Sequence, residues 1–301
     1  MSRPLVSICV PSIGRTLFLP AVRAAIEAQT IKDYEVLVLD NASGDEAQAF
    51  FAQWQADDER VRVLRTDERV PMFANFDRGA FAARGKYVTF FHDDDVYRPN
   101  FLEASVSVLE REPCAGFSGS NFNFVDEYGV PTGEQRWIAS DEVWAGRRYI
   151  RTVLEGGKNP IPMPGLMYRR EVFDIHGFDV GVSMHWGDFS VLMRYAETWD
   201  VAMIAESLMA VRRHDGQASV SMDMQKALIL RTHHMNEYLD GYLQRHPSES
   251  AFVEQMRRAV KSVEWRHMAM FKAFEWTKSI SPKRAEAGLR AARNLRQRFG
   301  R

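Results

Sequence analysis

Residues 87–99 join an apolar segment to three adjacent carboxylates and read Tyr87-Val88-Thr89-Phe90-Phe91-His92-Asp93-Asp94-Asp95-Val96-Tyr97-Arg98-Pro99. Neighbouring carboxylates repel one another, so a positive group is expected to compensate them, most simply a divalent cation that carries a phosphate ligand. The alternative is a solvated acidic turn between a strand and a helix, because aspartate is common in turns and at helix caps. The sequence on either side of the segment favours the cation.

Short apolar runs alternate with amphipathic segments up to Arg111, a pattern typical of βα units that feed a parallel sheet. The predicted strands are Leu5–Val10, Tyr34–Asp40, Val61–Arg65 and Tyr87–His92. Four helices are predicted between and after them: one that ends at Ala28, one that starts at the capping-box spacing of Ser43 and Glu46, one over Met72–Ala83, and one from Pro99 to Arg111. Ligands of open α/β sheets bind beyond the carboxyl ends of the strands. Three groups lie at such ends: Pro11 to Arg15, Asp40 with Asn41, and Asp93 to Asp95.

The chain changes character beyond Gly116. Aromatic-rich strand candidates such as Phe117–Val125, long polar connections and the proline-rich loop 159–165 suggest a second half that lines another substrate. Leu208–Arg213 is the last predicted strand. Beyond residue 221 the sequence predicts helices over Gln225–Arg245, Glu249–Trp276 and Pro282–Arg298, with breakers between them.

Composition excludes several classes of function. The 301 residues include 39 Lys and Arg against 40 Asp and Glu, a formal charge of −1 that gives no general reason to bind nucleic acid. Cys9 and Cys114 both lie in apolar surroundings, so we expect two buried thiols in a reducing compartment rather than a disulfide framework. Neither a signal peptide nor an apolar run long enough to span a bilayer is visible, which predicts a cytoplasmic protein.

The C-terminal end of the chain is basic. Residues 283–301 carry seven Lys or Arg and the single acid Glu286. A solvated helix face explains this pattern, and a peripheral contact with anionic lipid at the inner face of the membrane is the rival. The Met and aromatic residues of the preceding helices favour core packing or a homodimer interface over a ligand groove.

Four groups of residues precede or form the acidic segment in a characteristic order: Val6-Ser7-Ile8-Cys9-Val10-Pro11-Ser12, Asp40-Asn41-Ala42-Ser43-Gly44-Asp45, Asp77-Arg78-Gly79 with Ala83-Arg84-Gly85-Lys86-Tyr87, and His92-Asp93-Asp94-Asp95. Their order and spacing resemble family 2 glycosyltransferases of the GT-A fold over about Val6–Ser219. The resemblance implies an α/β protein with the Rossmann-like GT-A fold of nucleotide-diphospho-sugar transferases. In this fold a mixed, mainly parallel sheet is flanked by helices, and a C-terminal helical extension is expected to follow it. By this reading, residues 1–221 are the GT-A domain, with a nucleotide-binding half at 1–111 and an acceptor half at 112–221, and 222–301 form the helical region.

The donor-side part of the chain departs from the family pattern at three positions. Gly14 stands where many members have Asn, Asp77 replaces the usual Asn, and His92 occupies the first acidic position of the DXD motif. Asp93 and Asp94 can still hold the donor and its metal ion, since some members of the family lack the first acid and keep only the following pair.

The resemblance also implies roles on the donor side. Asp94 is the expected ligand of Mn²⁺ or Mg²⁺, Asp95 is a supporting or alternative ligand, and Asp93 accepts hydrogen bonds from the ribose hydroxyls. Pro11 and Ser12 line the donor, and Arg15 faces the diphosphate unless it is simply exposed. Asp40 is expected to accept the N3 hydrogen of uracil or thymine, with a helix cap as the alternative.

The acceptor side of the resemblance is carried by later residues. Asp188 is the expected general base, although Gly187 replaces the Glu that usually precedes it. Trp186, beside His185, is expected to stack on an acceptor sugar or else to pack in the core. His214, in a strand-end Arg-x-His segment, is a further candidate metal ligand, and a structural role is its alternative.

These features predict a metal-dependent, inverting glycosyltransferase that moves sugar from a UDP- or dTDP-sugar to a glycan or lipid-linked acceptor, in bacterial surface polysaccharide synthesis. The Gln-x-x-Arg-Trp motif of processive synthases is absent, so one sugar per encounter is expected. A sugar nucleotidyltransferase is a rival, but the Gly-rich triphosphate loop is missing after the first strand. A non-catalytic module that binds nucleotide-sugar or glycan is the other alternative.

Overall fold

The structure, a computed structural model, describes residues 3–178, 187–214 and 224–278. Within these residues the strands are β1 (Val6–Ser12), β2 (Tyr34–Asn41), β3 (Val61–Thr66), β4 (Tyr87–Phe90), β5 (Val96–Tyr97), β6 (Ala115–Val125), β7 (Pro131–Gln135), β8 (Glu142–Trp144), β9 (Met167–Arg169) and β10 (Asp200–Arg212). The helices are α1 (Leu19–Glu27), α2 (Asp45–Asp57), α3 (Met72–Ala82), α4 (Phe101–Arg111), α5 (Gly146–Gly156), α6 (Gly187–Ala196), α7 (Met224–Arg245) and α8 (Ser250–Lys278).

All of these strands belong to one mixed sheet. The main order is β3-β2-β1-β4-β9-β6-β10-β5, while β7 pairs with β6 and β8 pairs with β10. The pairs β2–β3, β1–β2, β1–β4 and β6–β10 are parallel, whereas β9, β5, β7 and β8 pair antiparallel. The predicted mixed α/β sheet flanked by helices, followed by C-terminal helices, is confirmed.

The central strands are buried because helices cover both faces. Every residue of β2 is buried, as expected for a parallel strand that is apolar on both sides. One face packs against apolar residues of α1, α2 and α4. On the other face Gly79 brings α3 so close that a Cβ there would lie 2.7 Å from a methyl group of Leu39 and 3.0 Å from the Cys9 sulfur. This close contact holds α3 against β1 and β2.

A buried carboxylate fixes the residues that lead into β4. Glu35 accepts hydrogen bonds from Ser7 Oγ (2.7 Å) and from the Arg84 backbone N–H (2.7 Å), and pairs with the Arg84 guanidinium at 2.8 Å. Gly85 N–H donates to Ser7 Oγ at 2.8 Å, and a Cβ at Gly85 would lie 2.5 Å from the Ser7 nitrogen. The Ala-Arg-Gly motif is therefore structural. A cavity of about 630 Å³ borders this network, at the strand ends remote from the acidic segment.

The second half of the sheet differs most from expectation. β10 begins at Asp200, eight residues before the strand predicted at Leu208, and α5, β7, β8 and β9 occupy the region expected to be polar connections and loops. The capping box predicted at Ser43 is wrong, because α2 begins at Asp45 with Gly44 as N-cap and no side-chain cap bond. Cys114 is exposed, so the expectation of two buried thiols holds only for Cys9.

Two compact units divide the chain: Met1–Val153 with Lys158–Ala218, and Leu154–Gly157 with Ser219–Arg301. In the second unit α7 and α8 pack through apolar side chains that include Leu239, Tyr242, Phe252, Met256 and Val260. The boundary predicted after residue 221 and the helix predicted over Pro282–Arg298 lie outside the described residues. Within the described part of the chain, no helix combines the length and hydrophobicity needed to cross a bilayer.

Candidate functional site

The acidic segment Asp93–Asp95 is buried at the end of β4. The three residues are 4%, 8% and 8% exposed, and the rings of Phe91 and Tyr97, which flank the segment in the sequence, stack at 3.7 Å. Buried ionised carboxylates are costly unless a positive group compensates them. The alternative of a solvated acidic turn is therefore wrong.

Arg15 supplies part of that compensation. Its Nη2 lies 2.8 Å from Asp93 Oδ1 and 3.1 Å from Asp94 Oδ2, and Ser12 Oγ lies 3.2 Å from Asp93 Oδ2. Burial opposes the charge of Arg15, but the two carboxylates outweigh it and raise the pKa of the guanidinium. Gly14 allows the intervening turn, because its φ of +87° is a conformation that glycine adopts readily. Arg15, which was expected to face the diphosphate, thus contacts the carboxylates of Asp93 and Asp94.

His92, Asp94 and Asp95 form a group that fits a metal ion. One donor atom from each lies within 4.8 Å of the others. Burial lowers the pKa of His92 to about 4, so the imidazole is neutral at pH 7. Its Nε2 is buried and has no hydrogen-bond partner among the described residues. A neutral imidazole beside two carboxylates is a suitable donor set for a divalent cation.

The pKa values of Asp94 and Asp95 are shifted in opposite directions. Burial and the neighbouring Asp94 raise the pKa of Asp95 well above its ordinary value. Burial also opposes the charge of Asp94, but His92, Arg15 and His214 outweigh it and lower its pKa. A cation next to both carboxylates would remove the repulsion that raises the pKa of Asp95.

The end of β10 lies against the same segment. His214 Nε2 is 3.2 Å from Asp94 Oδ2, so the predicted ligand candidate does contact the predicted metal ligand. The Arg212 backbone N–H donates to Asp95 Oδ1 at 3.0 Å, and its Nε donates to the Asp94 carbonyl at 2.9 Å. The Phe18 ring contacts both residues, with its centroid 5.4 Å from the His214 ring and 4.9 Å from the Arg212 guanidinium.

Asp40 lies one strand away, at the end of β2. It is paired with Ser12 in the β1–β2 register, and Pro11 is paired with Leu39. Asp40 is 1% exposed, accepts the Ser43 N–H at 3.0 Å and pairs with Arg65 Nη1 at 2.5 Å. Because α2 begins only at Asp45, the helix-cap alternative for Asp40 is wrong. The strand ends therefore bring Ser12, Asp40 and Asp93 to one edge of the sheet.

Asp188 is the second residue of α6, where the free backbone N–H groups of the first turn favour an anion. Burial raises the pKa of its carboxyl to about 6, although the Phe189 N–H and the Asn159 side chain counteract this. Gly187 has a packing reason to replace Glu, because a Cβ there would lie 1.9 Å from the Phe73 ring. Trp186 and His185 lie outside the described residues.

Sequence reasoning missed three residues of these sites. His92 was interpreted only as a departure from the acidic motif, although an imidazole at that position also carries a metal-binding nitrogen. Arg65 is directly paired with Asp40 in the β2–β3 register, and its position at a strand end could have indicated it. Asn159 gave no signal, since its neighbours are loop residues without a motif.

The strand order and the site at the carboxyl ends of β1, β2 and β4 define a nucleotide-binding α/β transferase scaffold. The chain belongs to glycosyl transferase family 2, whose family model matches residues 7–177. That match includes the acidic segment but ends before Asp188.

Three known proteins indicate the range of similarity. The putative teichuronic acid biosynthesis glycosyltransferase TuaG of Bacillus subtilis is 25% identical over 129 residues, covering 43% of this chain and 51% of TuaG. S. aureus TarS 1-349 in complex with UDP-GlcNAc superposes with a TM-score of 0.59 at 14% identity, covering 81% of this chain and 72% of TarS. The mannosyltransferase PcManGT from Pyrobaculum calidifontis, in complex with GDP-Man and Mn²⁺, superposes with a TM-score of 0.62 at 16% identity, covering 98% of this chain and 81% of PcManGT.

These similarities have defined limits. The two structural matches establish the GT-A fold alone. The chain spans 51%, 45% and 36% of the length of three curated relatives that it matches, about half or less of each.

Proposed function

We propose that this glycosyltransferase moves one sugar per encounter from a UDP- or dTDP-sugar to a glycan or lipid-linked acceptor, with inversion, in bacterial surface polysaccharide synthesis. The observation that carries the proposal is the His92, Asp94 and Asp95 group at the edge of the sheet that also holds Ser12 and Asp40. TuaG, a putative teichuronic acid biosynthesis glycosyltransferase, supports a role in surface polysaccharide synthesis. TarS, which was crystallised with UDP-GlcNAc, supports a UDP-sugar donor.

The nucleoside would bind beside β1 and β2. Asp40 would accept the N3 hydrogen of a pyrimidine, and Arg65, 2.5 Å from it, would donate to a base carbonyl. Pro11 and Ser12 would line the donor, and Asp93 would accept from the ribose hydroxyls. Arg15 would move part of its hydrogen bonding from Asp93 and Asp94 to the diphosphate.

Asp94 and Asp95, with His92 and His214 beside them, would hold Mn²⁺ or Mg²⁺. The mixed set of carboxylates and imidazoles favours Mn²⁺, because Mg²⁺ prefers oxygen ligands. When bound, the cation supplies Lewis-acid stabilisation of the negative charge on the departing diphosphate. The chain's own contribution is to fix the carboxylates, through Ser12, Arg15 and Arg212, before the donor binds.

Asp188 would act as the general base. A carboxyl whose pKa is about 6 is ionised at neutral pH and more basic than an ordinary aspartate. The acceptor oxygen forms a bond to the anomeric carbon as its proton passes to Asp188. The bond from that carbon to the diphosphate oxygen breaks, and its electron pair leaves with the diphosphate.

The test is a turnover assay with a panel of UDP-, dTDP- and GDP-sugars, with and without Mn²⁺, in the wild-type chain and in Asp188→Asn. We expect release of the nucleoside diphosphate that needs Mn²⁺ and falls at least about 100-fold in Asp188→Asn, while donor binding in a calorimeter persists. Asp174→Asn, the same change at an exposed carboxyl, is the matched control.

Other outcomes would identify the rivals. Donor binding without turnover across the panel indicates a binding module. Pyrophosphate release from a nucleoside triphosphate and a sugar phosphate indicates a nucleotidyltransferase. The proposed peripheral membrane contact and homodimer are separate questions, since the basic residues 283–301 lie outside the described part of the chain.

A further inference from the structure

Exposed apolar side chains are concentrated on three loops that follow the carboxyl ends of β1, β4 and β6. Ten large apolar side chains are exposed among the described residues, and half of them lie on these loops. They are Ile13 (44% exposed), Leu17 (79%), Val96 (38%), Tyr128 (83%) and Val130 (56%), and we call these five side chains the apolar rim. Single exposed apolar residues are ordinary, but a concentration of them marks a contact surface.

The loop after β1 is anchored to the acidic segment on both sides of Ile13. Ser12 Oγ lies 3.2 Å from Asp93 Oδ2, and Arg15 Nη2 lies 2.8 Å from Asp93 Oδ1. Leu17 follows two residues after Arg15. The exposure of Ile13 and Leu17 is therefore a property of a loop whose polar side chains are held at the candidate site.

The turn between β6 and β7 carries Tyr128 and Val130 and is braced from within. Asp126 Oδ1 accepts the Tyr128 N–H at 3.0 Å and the Val130 N–H at 2.9 Å. From outside the turn, Arg212 Nη1 donates to the Glu127 carbonyl at 3.0 Å. The two apolar side chains are thus presented to solvent by a turn that is fixed in place.

The buried side chain of Arg212 joins the three loops. Its Nε donates to the Asp94 carbonyl at 2.9 Å, and its guanidinium lies 4.9 Å from the ring of Phe18, the residue after Leu17. Val96 follows the acidic segment directly and pairs with β10 two residues before Arg212. The apolar rim therefore borders the candidate metal site.

The shape of the apolar rim fits a lipid surface. Leu17 and Tyr128 are about four-fifths exposed, so they protrude from their loops, whereas a single bound hydrocarbon chain would need a groove. The rim also lacks the contiguous apolar core of a protein interface, because its members lie on separate loops. Tyrosine is favoured at the level of lipid headgroups, and aliphatic side chains insert just below it.

The charges beside the rim have both signs. Arg69 is exposed and its Nη2 donates to the Ile13 carbonyl at 3.5 Å, Arg213 is exposed at the end of β10, and Glu127 is exposed beside Tyr128. A mixed set gives no strong attraction to anionic lipid, so apolar insertion must drive the contact and salt should affect it little. A contact through the basic residues 283–301 would instead need anionic lipid and low salt.

We propose that the apolar rim inserts into the headgroup region of a lipid bilayer, so that the candidate active site opens toward the membrane surface. A site in this position admits an acceptor that is anchored in the bilayer. That choice of acceptor rests on the proposed function, whereas the insertion of the rim does not.

The first test is co-sedimentation with phosphatidylcholine vesicles in about 0.5 M NaCl, which screens charge beyond a few ångströms. We expect wild type to bind and the double variant Leu17→Ser with Tyr128→Ser to bind at least about tenfold more weakly, because two apolar side chains no longer leave water. The matched control is Phe81→Ser with Ile175→Ser, an exposed aromatic and an exposed aliphatic residue outside the three loops, which should bind as wild type does. Thermal unfolding of both double variants checks that they are folded.

The second test locates the contact with a fluorophore that shifts to the blue in lipid. Cys9 is buried and Cys114 is exposed just before β6, at the edge of the sheet opposite the acidic segment, so the wild-type chain is labelled at Cys114. The variant Leu17→Cys with Cys114→Ser carries the label on the rim. Vesicles should shift the emission of the label at residue 17 and leave that of the label at residue 114 unchanged.

Several results would overturn the inference. These are wild type that does not bind the phosphatidylcholine vesicles, an equal loss of binding in the control double variant, and a label at residue 114 that responds as strongly as the label at residue 17. Binding only to anionic vesicles at low salt would assign the contact to basic residues instead. If the rim variant changes the oligomeric state in light scattering and vesicles do not bind, the occupant is a second copy of the chain.

The outcomes for the two proposals are separate. Vesicle binding needs neither donor nor metal, so a chain that binds through the rim but turns over no donor contradicts the proposed function alone. A chain that turns over a donor but does not bind vesicles contradicts the rim alone.

Discussion

At the scale of single residues, the environment of each carboxylate differs more than its residue type suggests. Asp93 and Asp94 contact Arg15, Asp40 contacts Arg65, and Asp188 contacts no cation among the described residues. A metal-holding carboxylate must stay ionised next to other acids, whereas a general base must take up a proton. Arg15 beside Asp93 and Asp94 favours their ionised form, whereas Asp188, with no cation beside it, takes up a proton more readily.

The isolated charge of Asp188 should reduce stability. The pKa of its carboxyl is about 6 in the folded chain, against an ordinary value of 3.8, so the folded state binds more protons than the unfolded state between these pH values. Stability therefore rises as pH falls through this window, and the cost is fully present above about pH 6. We expect Asp188→Asn to increase the free energy of unfolding by about 2–3 kcal/mol at pH 7.5, with the gain vanishing near pH 4.

Urea unfolding of wild type and Asp188→Asn at pH 7.5, 5 and 4 measures this difference, and the subtraction cancels the other titrating groups. The matched control is Asp174→Asn, which should change stability little at each pH. A gain that grows as pH falls would contradict the raised pKa of Asp188.

At the scale of elements, the start of α6 is set by its contact with α3. Phe73 is 5% exposed, and its ring occupies the space that a side chain at Gly187 would need. The ring also packs edge-on against Phe76 at 6.1 Å, so it has little freedom to move away. The position of Asp188 in the first turn thus depends on the absence of a side chain at the preceding residue.

We expect Gly187→Ala to lower the free energy of unfolding by about 1–3 kcal/mol, because overpacking displaces a buried ring. Turnover should fall as well, since Asp188 moves with the helix. The double variant Phe73→Leu with Gly187→Ala should recover part of the lost stability by making room for the methyl group. Gly133→Ala in β7 is the control, because the nearest atom to a Cβ there lies in the Phe124 ring at 3.8 Å, an ordinary contact. A Gly187→Ala chain as stable as wild type would show that the ring is not tightly held.

At the scale of the whole molecule, the sequence predicted the first half well and the second half poorly. Buried parallel strands such as β2 are apolar throughout and bounded by breakers, so residues 34–40 were found almost to the residue. β9 has only three residues and is defined by its partners β4 and β6, so no local pattern could reveal it. α5 was detectable, since Tyr149, Ile150, Val153 and Leu154 recur at helical spacing and are all buried.

The site was partly predictable for the same reason. Residues at the ends of predicted strands, such as Ser12, Asp40 and Asp93, were found because the topology rule places them together. Partners that act across the fold, such as Asn159 beside Asp188 and Phe73 beside Gly187, depend on tertiary contacts that no sequence spacing encodes.

The most direct test of the central claim is a crystal of the chain grown with Mn²⁺ and UDP, with anomalous scattering recorded at the manganese edge. We predict one strong peak within bonding distance of Asp94 and Asp95 carboxylate oxygens and of a ring nitrogen of His92, with the diphosphate on the same ion. A diphosphate bound away from residues 92–95, or a manganese peak elsewhere in the chain, would contradict the account.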